Sequence, residues 1–177
     1  KLPLDRATWP FIAFTASAAM LATAHAFERF LLLAPCPLCY NQRQVYWVAA
    51  GLALVGILLN WRRAPARVMF GISVLLGVVF LVGAGVASYH SLVEWGVLPA
   101  PATCAVGNVT VTGGDLWEKL GKPMAVPSCA EAKWHFLGLS MAAWNVLVSV
   151  ALAAASFYAA TRRMRTDTAN EPVKLEA

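Results

Sequence analysis

Cys36 and Cys39 form a C-x-x-C beside one apolar run, and Cys104 and Cys129 lie in the one long polar stretch of the chain. All four can meet at one membrane face. A rigidly spaced C-x-x-C next to a helix start, within reach of a second cysteine pair, is a layout for passing electrons between dithiols. Around the first pair the sequence reads Pro35-Cys36-Pro37-Leu38-Cys39-Tyr40-Asn41-Gln42-Arg43. Cys39 falls near the start of a helix, where unpaired backbone N–H groups and the helix dipole favour an anion. Arg43, one turn later, adds a positive charge. Both effects favour the thiolate, the form that attacks a disulfide or another electrophile. Taken alone, the C-x-x-C is also compatible with a static disulfide or half a metal site. Zinc fits less well, because the second pair is widely spaced and brings no nearby C-x-x-C or His pair. No metal ligand set is assigned. His25, His90 and His135 could be imagined around a haem, but the C-x-x-C lacks the following His of a covalent haem site.

The elements that must position these groups are membrane helices. The chain has 177 residues, of which 59% are hydrophobic and 13% charged, a composition far from that of a soluble domain. Four uncharged apolar runs, at about 9–27, 45–61, 68–89 and 141–158, approach or exceed the roughly 20 residues needed to cross a bilayer. They lack the alternation of barrel strands, so an all-α, four-helix transmembrane bundle is predicted. Trp9, Trp47, Trp61, Trp95, Trp134, Trp144 and Tyr158 fall near the ends of these runs, as interfacial anchors should. Gly71, Gly77, Gly83 and Gly85 on the third run would let helices approach closely.

The net charge of +5 raises nucleic acid as a partner, but the arginines fall in two tight groups beside apolar runs: Arg62, Arg63 and Arg67, then Arg162, Arg163 and Arg165. That is a topology signal and not a nucleic-acid footprint. Both groups should be cytoplasmic, which places both termini inside and the loops 28–44 and 90–140, with every cysteine, on the other face. In a bacterium that face is the oxidising periplasm. The first run lacks a convincing cleavage site and reads as a retained span. The opening at Lys1 suggests a trimmed start, residues 1–165 form one domain, and the polar tail 166–177 is expected to be disordered. Within the long loop, Asp115 can cap and Gly121 can end a short helix with Leu116, Trp117 and Leu120 on one edge, expected to lie on the membrane surface.

The residues resemble the disulfide bond formation protein B (DsbB) family of bacterial inner-membrane thiol oxidases along nearly the whole chain. The likeness rests on Pro35-Cys36-x-x-Cys39-x-x-x-Arg43, on Ala102-Thr103-Cys104, and on Cys129-Ala130-Glu131-x-x-Trp134-x-Phe136-Leu137-Gly138-Leu139-x-Met141-x-x-Trp144. The last stretch repeats identities that neither hydrophobicity nor topology demands. The resemblance implies that a periplasmic thioredoxin-fold dithiol protein of the DsbA type attacks a Cys104–Cys129 disulfide at Cys104. Cys129 then attacks Cys36, and Cys39 hands electrons to a membrane quinone, ubiquinone or menaquinone, beside Arg43 and His90. The potentials make a quinone necessary: moving electrons from a DsbA-type couple near −120 mV to a thioredoxin-like dithiol near −270 mV costs roughly 7 kcal/mol. A dithiol relay alone would run backwards.

Pro37, Asn41 and Gln42 depart from the best-known members, which bears on the choice between a general and a dedicated partner. Without the family match, Arg43 reads as a snorkelling interfacial side chain and His90 as an interfacial hydrogen-bonding residue. Two other functions share the ingredients. A membrane dithiol reductase of the vitamin K epoxide reductase type also joins a C-x-x-C, loop cysteines and quinone, but its loop cysteines precede the embedded C-x-x-C, whereas here they follow it. A noncatalytic scaffold with two structural disulfides would show no quinone turnover.

Overall fold

The computed structural model describes residues 4–104, 128–132 and 134–162. The anticipated helix at 114–121, the tail 166–177, and Arg163 and Arg165 lie outside them. Helix α1 spans Trp9–Phe30, α2 Pro37–Trp61, α3 Ala66–Glu94 and α4 Met141–Thr161. All four are long and apolar enough to cross a membrane. The expected all-α architecture is what forms.

Three of the four starts have a side-chain cause. Asp5 accepts the N–H groups of Ala7 and Thr8 on Oδ1 ahead of α1. Cys36 is itself the N-cap of α2: its Sγ accepts from the Cys39 N–H at 3.2 Å, and Pro37 follows where a helix needs no N–H donor. Ser140 caps α4 by accepting from the Ala143 N–H. Ahead of α4, strands β1 (His135–Phe136) and β2 (Leu139–Ser140) pair antiparallel around Leu137 (φ 51°) and Gly138 (φ 80°). Positive φ at both central residues is the geometry of a tight hairpin turn whose twist matches its strands.

Helices α1, α2 and α3 outrun the apolar runs at the cysteine end. With 29 residues, α3 is about 44 Å long at about 1.5 Å per residue, against a hydrocarbon layer of about 30 Å. Its surplus carries His90 and Glu94 beyond the purely apolar stretch. Helix α2 begins at Pro37 and so brings Cys39, Gln42 and Arg43 onto its first two turns.

Helix α3 packs mainly on α4, and α2 on both α1 and α3, whereas α1 and α4 barely meet. The core joins Trp9, Ala13 and Leu21 of α1 to Tyr46, Ala49 and Ala53 of α2, Leu76 and Phe80 of α3, and Ala153 of α4. Trp9, expected at the interface, is 1% exposed in this core, while Trp47, Trp61, Trp95 and Tyr158 are exposed as anchors should be. Of the four glycines on α3, a Cβ at Gly77 would lie 2.8 Å from the Phe157 ring and one at Gly83 3.0 Å from Val45. Gly71 and Gly85 face open space, so only two of the four permit close approach.

Candidate functional site: two cysteine pairs beside a mostly apolar cavity

The capped start of α2 holds Cys36 and Cys39 on consecutive edges of one turn, with their Sγ atoms 2.7 Å apart. Cys104 ends a single 3-10 turn at Ala102–Cys104, where its N–H donates to the Pro101 carbonyl. It is disulfide-bonded to Cys129. This disulfide packs directly into a cluster with Cys36, Leu38 and Val93, flanked by Cys39, Tyr89 and Leu98. The structure thus gathers all four sequence-selected cysteines into one place. Cys36, Cys104 and Cys129 are buried, and Cys39 is the half-buried member. The hydrogen bond shared with Cys39, followed by burial, holds the Cys36 thiol well above the usual range for cysteine. Cys36 is therefore the protonated member of the pair, and Cys39 the sulfur that receives its hydrogen bond.

His90, on the last turns of α3, lies 3.7 Å from Cys36 Sγ through Nε2 and 3.6 Å from Glu94 Oε1 through the same atom. The Cys129 backbone carbonyl also faces the ring. Arg43 takes a different direction. Its guanidinium donates to Glu28 Oε2 at 2.5 Å and to the Ala24 carbonyl at 3.0 Å, and it lies over the Tyr40 ring, so it ties α2 to α1. Part of its charge is balanced there, yet it still borders the cavity shared by the cysteines.

That cavity, about 370 Å³, fills the gap between α1 and α4. Cys36, Cys39, Arg43 and His90 are in its lining with other polar groups such as Gln42 and Glu94, and most of its surface is apolar, with Phe27, Trp134 and Trp144 among the apolar residues. Trp134 stacks on Phe136, and the Trp144 indole N–H donates to the Phe136 carbonyl. The hairpin thereby holds the aromatic wall in place. A mostly apolar space of this size with a few convergent polar groups suits a planar, lipid-soluble ring bearing carbonyl oxygens.

Among the described residues, Cys36, Cys39 and His90 are the one grouping of three potential metal ligands. His90 Nδ1, however, faces the amide nitrogen of Gln42 at 2.8 Å. An amide nitrogen only donates, so Nδ1 accepts and the ring hydrogen sits on Nε2. An imidazole in that tautomer offers no lone pair to an ion between the sulfurs. His25 bonds within its own helix, to the Leu21 carbonyl, and His135 lies in the hairpin, so the three histidines do not converge.

Several site residues escaped the sequence reading: Glu28, Gln42, Tyr46, Glu94 and Asn145. Their signals were present as an amide inside the fourth apolar run (Asn145) and as four-residue spacings, Gln42 to Tyr46, His90 to Glu94 and Asn145 to Ser149.

A bonded cysteine pair and a facing C-x-x-C, packed together at the polar end of a four-helix membrane bundle, define a multi-pass membrane disulfide oxidoreductase. The family model for disulfide bond formation protein DsbB matches residues 6–159, and the chain belongs to that family. Curated relatives named disulfide bond formation protein B are similar along most of their length. That of Xanthomonas euvesicatoria pv. vesicatoria is 31% identical over 157 residues, covering 88% of this chain and 90% of the relative. That of Xanthomonas campestris pv. campestris is 33% identical over 150 residues, covering 84% and 86%. That of Nitrosococcus oceani is 33% identical over 153 residues, covering 84% and 87%. Disulfide bond formation is accordingly the process in which this chain takes part.

Proposed function

We propose that this chain is a quinone-coupled thiol oxidase that reoxidises a periplasmic DsbA-type dithiol protein and passes the electrons to membrane ubiquinone or menaquinone. The observation that carries the reading is the shared wall: one face of the packed cysteine cluster meets the bonded pair, and the other opens on the cavity between α1 and α4. Residues 1–165 act as one oxidoreductase unit, with both termini and the arginine groups cytoplasmic and all four cysteines periplasmic, in the bacterial inner membrane.

The exchange steps balance without an outside reagent. A partner thiolate attacks Cys104 Sγ, forming a mixed disulfide and releasing Cys129 as thiolate. Cys129 attacks Cys36 of a Cys36–Cys39 disulfide, and the electron pair leaves on Cys39. The partner's second thiol then displaces Cys104, which attacks Cys129 and restores the Cys104–Cys129 bond. Cys36 and Cys39 are left reduced and the partner oxidised. Bound quinone supplies the sink for two electrons and two protons. Cys39, Arg43 and His90 would hold its head group, and Phe27, Trp134 and Trp144 would cover the ring.

The test is direct. Purified full-length protein in lipid nanodiscs should bleach quinone absorbance when given reduced DsbA-type protein, and each single cysteine-to-alanine variant should lose that turnover. Quinone reduction that survives Cys36→Ala or Cys39→Ala would defeat the proposal.

A further inference from the structure

Behind the sulfurs a line of buried hydrogen bonds runs inward across three helices, and no step described so far uses it. Tyr46 Oη on α2 donates to Asn145 Oδ1 on α4 at 2.5 Å. Asn145 Nδ2 donates to Gln42 Oε1 on α2 at 2.6 Å. Gln42 Nε2 donates to His90 Nδ1 on α3 at 2.8 Å. Ser149 closes the inner end, within 3.0 Å of Tyr46 Oη and 3.3 Å of Asn145 Oδ1. Gln42, Tyr46, His90, Asn145 and Ser149 are all buried. A polar line inside a membrane bundle is expensive unless every member is satisfied, and here each bond fixes the direction of the next. An amide whose oxygen is occupied by Asn145 can offer only its N–H groups to His90, so Nδ1 must be bare and Nε2 must carry the hydrogen.

We propose that Gln42, oriented by Asn145 and Tyr46, is a positioning residue that holds His90 as the neutral Nε2–H tautomer, making His90 a hydrogen-bond donor to sulfur rather than a cation or a base. The proposal deepens the oxidase reading and rests on it for its meaning in turnover. Geometry gives the N–H its target. Nε2 faces Cys36 Sγ at 3.7 Å and Glu94 Oε1 at 3.6 Å, and the Cys129 carbonyl adjoins the ring. When the Cys129–Cys36 bond is broken, by Cys104 attack on Cys129, Cys36 departs as thiolate, and the N–H already facing that sulfur can donate to it. Glu94, 3.6 Å from Nε2, accepts instead from the Ser140 hydroxyl and so does not compete with the sulfur for the N–H. The charged and titratable groups around the ring are Cys36 and Cys39 from the start of α2, Glu94 on α3, and Arg43 and Glu131 on the same cavity.

The line also predicts how it can be reversed without touching the histidine. Asn145→Asp places a carboxylate, which cannot donate, against Gln42. The Gln42 amide must then turn, offer its oxygen to His90, and require a hydrogen on Nδ1. Gln42→Glu does the same in one step.

Nitrogen NMR of full-length protein in nanodiscs, labelled at the histidine ring nitrogens and assigned with His90→Gln, reads the tautomer with no need for turnover. We expect wild-type His90 to show bare Nδ1 and protonated Nε2 at neutral pH, and both Asn145→Asp and Gln42→Glu to protonate Nδ1. In the quinone assay both variants should lose about ten- to hundredfold in kcat, the range for one hydrogen bond to a charged group, and quinone KM should rise as well because the same N–H borders the head-group site. A hydrogen on Nδ1 in the wild type, or an unaltered ring in both folded variants, overturns the proposal whatever the oxidase assay shows. A switched tautomer with unchanged kcat overturns the donor role. Absence of wild-type quinone turnover would instead count against the oxidase reading and leave the tautomer result standing.

Discussion

Replacing Arg43 with alanine separates a quinone contact from a membrane anchor, because the structure gives the guanidinium a measurable structural duty of its own. It makes two hydrogen bonds to α1, one to a carboxylate and one to the Ala24 carbonyl, with side-chain exposures of 13% for Arg43 and 37% for Glu28. A charge-assisted bond contributes about 1.5–3 kcal/mol. Solvent at Glu28 screens that to about 1 kcal/mol, and the carbonyl bond adds about 1 kcal/mol. Arg43→Ala should therefore destabilise the α1–α2 contact by about 2 kcal/mol in total. If the guanidinium also holds the quinone head group, losing that bond removes a further factor of about 10–100 from kcat/KM for quinone. Glu28→Gln is the control, since it breaks the same ion pair while leaving the guanidinium in place. Thermal unfolding should show a loss in both variants, and steady-state quinone reduction a loss in Arg43→Ala alone. Arg43→Lys should recover part of the rate, because a single ammonium keeps the charge but cannot span Glu28 and Ala24 as a planar fork does. Quinone KM and turnover unchanged in folded Arg43→Ala, or an equal kinetic loss in Glu28→Gln, would refute the quinone contact and leave Arg43 a structural anchor.

Cys104→Ala should abolish the mixed disulfide with a DsbA-type partner, while Cys129→Ala should let it accumulate; nonreducing gels decide, and equal trapping by both would displace Cys104 as the point of attack. An alkaline phosphatase fusion after Pro65 should be inactive, and activity there would invert the proposed orientation. Cys36 is held above the ordinary thiol range chiefly by its hydrogen bond with Cys39, so in the reduced protein it stays neutral at neutral pH and reacts with an alkylating reagent only as pH rises. Cys39→Ala removes that cause and should shift the Cys36 alkylation profile to lower pH, whereas an upward or absent shift contradicts the assignment. Gly77→Val would drive a branched side chain into the Phe157 ring, 2.8 Å from a Cβ at that position, and should cost about 1–3 kcal/mol of stability by overpacking the α3–α4 contact, against almost nothing for Gly71→Ala.

Hydropathy alone determined the all-α bundle, because in lipid a long uncharged run has few ways to satisfy its backbone except as a helix. The cysteines were equally legible: a C-x-x-C announces its chemistry by spacing, and the stretch Cys129 to Trp144 carries identities that hydropathy does not explain. Arg43 and His90 were visible as polar groups near the ends of apolar runs, but their partners were not. Only tertiary packing decided that Arg43 turns toward Glu28 on α1, that Trp9 serves the core, and that Gly77 and Gly83 sit at contacts while Gly71 and Gly85 do not. It also decided that residues as distant in sequence as Gln42, His90 and Asn145 share one line of hydrogen bonds. Periodicity and composition act within one helix, over three or four residues. The rotation of each helix about its axis is set by how all four pack, and that rotation determines which polar atoms meet and which nitrogen of His90 keeps its hydrogen.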